Sequence, residues 1–127
     1  MKSEEKIYVQ HAEHVEWMSK LKFYADEILV LKSRLEGIAT KNNDQEVMAQ
    51  VEHFENQFII QKNNIDELKH AITVDEDHLK AEINKNPVAV DHRKVPYHAD
   101  EKDAIEVFEK NFNALRDEFK HFAAKWM

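Results

Sequence analysis

Residues 44–84, DQEVMAQVEHFENQFIIQKNNIDELKHAITVDEDHLKAEIN, decide the fold. Within them Val47, Val51, Phe54, Phe58, Ile65, Leu68, Ile72, Leu79 and Ile83 recur at steps of three, four or seven, the spacing that gathers side chains on one face of an α-helix. Gln61 and Glu76 are the polar interruptions of this stripe. Lys62-Asn63-Asn64 resembles a turn, and Thr73-Val74-Asp75-Glu76 has the spacing of a capping box. The apolar stripe keeps its phase across both places, where a true turn would reset it. The expectation is one continuous helix of about 61 Å at 1.5 Å per residue, and a break near 61–64 or 73, which would make four helices, is the alternative.

Upstream, residues 5–37 carry Trp17, Leu21, Tyr24, Ile28, Leu31 and Leu35 at alternating steps of three and four, with His14 and Met18 bordering the row. Gly37 is placed to end that helix in a left-handed conformation. After the polar Lys41-Asn42-Asn43-Asp44, Asn43 reads as the cap of the next helix, with Glu46 as its partner. Downstream, Ile105, Phe108, Phe112, Leu115, Phe119, Phe122 and Trp126 form a largely aromatic stripe over residues 97–126. Residues 85–97, fenced by Pro87 and Pro96, read as an extended loop because each proline disfavours helix at the residue before it. The predicted fold is all-α, a single-domain up-down-up bundle of three long helices crossing at about 20°.

Composition supports that class and closes several functions. Of 127 residues one is glycine, two are proline and none is cysteine. Sandwiches and barrels need far more turn residues, and glycine-rich phosphate cradles need several glycines. Without cysteine there are no disulfides, thiolate zinc sites, thiol nucleophiles or iron–sulfur clusters, which fits a cytoplasmic protein. The longest purely apolar run is Ile28-Leu29-Val30-Leu31, too short to span a bilayer. Eighteen Lys and Arg stand against 25 Asp and Glu, a formal charge of −7, and the basic residues are scattered, so no nucleic-acid footprint is present. Protonating all eight histidines would carry the charge from −7 to +1.

Six of those histidines, at 11, 14, 70, 78, 92 and 98, belong to the half of the predicted bundle holding the N-terminus and the proline-fenced loop. A hairpin turning between residues 37 and 44 sets His11 opposite His70 and His14 opposite Glu67. The third helix then brings His98 and Glu101 beside Asp77, His78 and Glu82. Imidazoles and carboxylates three or four apart on a helix can share one metal ion. His11 with His14, and His98 with Glu101 beside the loop's Asp91 and His92, are therefore the candidate metal ligands, suited to Zn²⁺, Mn²⁺ or Fe²⁺. Glu67–His70 and Glu118–His121 have the spacing of carboxylate-bridged di-metal bundles but point away from the apolar stripes. Arg93 is placed to clamp a carboxylate or to anchor the loop.

No serine or threonine has the glycine-flanked context of a nucleophile elbow, and no carboxylate pair is singled out for acid–base work. Gln61, Glu76 and Glu101 sit within or beside apolar stripes and are suited to fixing helix register. The middle segment has a second, weaker apolar edge, Ala49, His53, Ile60, Ala71 and Val74, roughly opposite its main stripe, which favours a homo-oligomer. The expected function is a small acidic helical-bundle interaction or oligomerisation module without catalysis. A metal-binding bundle with redox or hydrolytic activity is the alternative.

Overall fold

The computed structural model describes residues 2–85 and 98–127, including their side chains except those of residues 2–8, 83, 85, 98 and 99. Three helices, α1 (Lys2–Lys41), α2 (Gln45–Lys85) and α3 (His98–Trp126), form an all-α up-down-up bundle, with no strand among the described residues. The extended loop expected between the prolines, with Asp91, His92 and Arg93, lies outside the described residues.

The middle helix is unbroken. Across the first suspected turn, Lys62 reaches forward one helical turn to Asp66 at 2.6 Å. At the second, the Thr73 hydroxyl donates to the Lys69 carbonyl at 2.9 Å, so it serves the helix interior rather than capping a new start. The apolar stripes bury as their periodicity requires. Leu21, Ile28, Leu31, Leu35, Val47, Val51, Phe54, Phe58, Ile65 and Ile72 all fall below 5% exposure. Along α3, Ile105, Phe108, Phe112, Leu115, Phe119 and Phe122 are buried against them, with Tyr24, Leu68 and Trp126 half-covered at the margin.

The turn between the first two helices differs from the sequence expectation. Gly37 has no positive φ, a β-carbon there would meet nothing within 4 Å, and α1 continues four residues past it to Lys41. The side-chain amide of Asn42 instead closes the helix end, donating to the Ile38 carbonyl at 2.8 Å and to the Trp126 carbonyl of α3 at 3.4 Å. The cap of α2 is Asp44 rather than Asn43, since its Oδ1 accepts the Glu46 N–H at 2.8 Å. A longer α1 shifts the hairpin, so His11 faces Glu76 rather than His70. Likewise Glu101 shares a groove with Ile72 and Asp75, one to two turns earlier on α2 than Asp77 to Glu82.

Two polar clasps fix α1 against α3. Arg116 grips Glu27 with a bidentate pair, donates to Asn113 at 2.7 Å and lies 5.2 Å from the centre of the Phe112 ring. Lys20 meets Glu109 at 3.3 Å, one turn or more further toward the N-terminal end of the bundle. No helix among the described residues is long and apolar enough to cross a membrane.

Candidate functional site

All three helices contribute to a polar cluster at the end of the bundle opposite the α1–α2 turn. His14 continues the buried row of Trp17 and Leu21 by one turn, so helical phase alone carries its ring inside, where it is 3% exposed. Its Nδ1–H donates to Glu76 Oε2 at 2.6 Å, and its Nε2 lies 3.5 Å from Glu101 Oε2. The exposed His11, three residues earlier on the same face, donates from Nδ1 to the other oxygen of Glu76. Glu76 thus bridges two imidazoles of α1 from α2, while Glu101 closes the cluster from α3.

Glu76 has two opposing influences. Its partial burial disfavours the charged form, but hydrogen bonds and the charges of His14 and His11 outweigh that and hold the carboxyl below its ordinary value. A carboxyl whose pKa falls on folding stabilises the fold above its unfolded pKa, and the benefit is lost as pH falls through the folded value. On acidification from pH 5 to pH 3, wild type should therefore lose more stability than Glu76→Gln, as read from urea midpoints. Equal losses would show that the bridge contributes nothing to acid stability.

Glu101 is 8% exposed, and neither of its carboxylate oxygens has a hydrogen-bond partner among the described residues. Such burial is costly, because a carboxylate taken from water needs compensating donors or a paired cation. Asp75, one residue before the bridge, is also buried, since it lies three residues after Ile72 and four before Leu79, in phase with the apolar stripe. Comparison with protein families, with curated proteins and with solved structures returns no match.

Of the sequence-predicted ligands, His11, His14 and Glu101 come together. The side chain of His98 and all of Asp91 and His92 lie outside the described residues. Glu67, His70, Glu118 and His121 are exposed, as their helical phase implies, and His53 bonds Glu118 at 3.0 Å across the α2–α3 seam. Among the described residues, no group of three or more His, Asp or Glu side chains is arranged to hold a metal ion. The two Nδ1 atoms direct their protons at Glu76 instead of turning lone pairs toward a common centre. Sequence reasoning placed Glu76 among register-setting residues and missed it as the hub. The signal was available in Asn42 to Asp44, since a turn centred there brings residue 76 level with residue 11.

Beside Glu101 runs a groove of about 470 Å³ between α2 and α3, walled by Ala71, Ile72, Val74, Ala104 and Ile105 and ending at Asp75, Asp100 and Glu101. A second depression of about 230 Å³, with Asn64, Glu67 and Phe108, shares Leu68 and Ala104 with it. The two form one furrow along the seam.

Proposed function

We propose that the chain is a non-catalytic interaction module that self-associates through the second apolar row of α2. The observation that carries this reading is the exposure of Ile60 at 47% and Val74 at 37%, in line with exposed Ala49 and Ala71, on a helix whose main stripe is covered. Isolated exposed apolar residues are ordinary, but a row along one helix is a surface another helix can cover. One edge of the row borders the seam with α3, where His53 bonds Glu118 and Ala71 and Val74 reach the groove. Ser19, Ser33, Thr40 and Thr73 are exposed on helix surfaces, and the last two donate to backbone carbonyls, which favours a binding over a nucleophilic role.

Equilibrium sedimentation tests this reading. The wild type should associate at high micromolar concentration, and Ile60→Asp should shift it toward monomer with unchanged helical circular dichroism. A wild-type monomer, or an assembly indifferent to Ile60→Asp, would remove the row as the interface.

A divalent-metal site is the second reading: His11, His14, Glu76 and Glu101 converge from three helices, but in the observed geometry the imidazoles pair with Glu76, so an ion would have to displace those bonds to bind. Stoichiometric Zn, Mn or Fe in protein purified without an affinity tag, with melting lowered by chelator, would put this reading in place of the first.

A further inference from the structure

We propose that the furrow between α2 and α3 is the docking site for a basic amphipathic helix of a partner protein. Its apolar side chains would seat on Leu68, Ala71, Val74 and Ala104, and its Lys or Arg side chains would reach Asp100 and the Glu101 carboxylate. This inference rests on the chain being an interaction module, but not on its self-association.

Shape and charge each argue for that occupant. The furrow spans residues 64–75 of α2, about 16 Å or three helical turns. It lies between two roughly antiparallel helices and presents no sheet edge, so an added strand would find no backbone partners, whereas a third helix packs into such a seam. Ala71 and Ala104 keep the two walls low and let an incoming backbone approach closely.

Among the described residues, Glu67, Asp75, Asp100 and Glu101 line the furrow together with His70, and no lysine or arginine does. A nucleic acid or an anionic membrane meets this rim with like charge. Glu101 supplies the independent reason to expect a cation. Its side chain is more than nine-tenths buried, and both oxygens lack hydrogen-bond donors among the described residues, with only the His14 Nε2 at 3.5 Å. A guanidinium or ammonium entering at Asp100 would give that carboxylate the charge-assisted bonds it lacks.

The test uses the full chain, isotopically labelled, and two peptides of about 14 residues with leucines at helical i, i+3, i+4 and i+7 spacing. One carries lysines at the remaining positions and the other glutamates. The lysine peptide should shift backbone amides of residues 64–75 and 100–108, and the glutamate peptide should not. Ala104→Arg, which obstructs an exposed wall position, and Asp100→Asn should each weaken binding about tenfold or more with helical content unchanged.

Equal binding of the acidic peptide would overturn the charge argument, and shifts confined to another face would overturn the placement. If neither peptide binds while the wild type self-associates through Ile60, the docking proposal falls and the module reading stands. If there is neither peptide binding nor self-association, both fall.

Discussion

Phe58→Ala should lower the free energy of unfolding by about 3–5 kcal/mol, the cost of emptying a fully enclosed aromatic site in a core that relaxes only in part. Phe58 has no exposed surface and lies about a third of the way along α2, with its ring 5.6 Å from Phe119 of α3 at a steep angle and 6.2 Å from Phe54. Phe54 in turn meets Phe119 at 5.3 Å and Phe122 at 5.1 Å, so these rings join the two helices as one packed unit. Truncating Phe58 removes contacts on both sides of the seam, and native domains have only about 5–15 kcal/mol in hand. Phe23→Ala is the matched control: this ring is 61% exposed and its loss should change stability by less than about 1 kcal/mol. Urea denaturation of the two variants beside wild type measures the contrast. Similar losses for both would mean that helical phase does not decide which aromatics form the core.

The legibility of this fold follows from where its information is stored. Burial is written in phase: each apolar stripe predicts its buried face through polar interruptions, and even Gln61 and His14 are buried because the period demands it. The level at which helices face one another is written in the turn, and there the most familiar signal misled. Gly37 is a helix-interior glycine, while an amide from Asn42 and a carboxylate from Asp44 do the capping. A four-residue error in the end of α1 moved His11 from Glu76 to His70 and hid the bridge. The same histidine and glutamates were visible as residues of interest, but not as partners, because pairing across helices depends on register that no single stripe contains. The furrow was less legible still, since it arises where small residues, Ala71 and Ala104, leave α2 and α3 apart.

Removing the buried carboxylate should act in opposite directions at the two glutamates of the cluster. Glu101→Met should stabilise the protein by about 1–3 kcal/mol, because an apolar side chain of similar length replaces a buried carboxylate whose oxygens have no hydrogen-bond donor among the described residues, the His14 Nε2 lying 3.5 Å away. The neighbouring Ile105 and Ile72 supply an apolar setting, and His14 keeps its bond to Glu76. Glu76→Ala should instead destabilise by about 2–3 kcal/mol, since it strips the acceptor from a buried imidazole and from His11 together. Thermal and urea unfolding of both variants at neutral pH give the two signs. A residue retained at a cost in stability points to a role in binding, so Glu101→Met should also weaken the lysine peptide while Glu76→Ala leaves the furrow's charge in place. If Glu101→Met instead destabilises the fold and binds the peptide unchanged, Glu101 is a structural partner of His14 alone, and the argument that a cation is wanted beside it fails.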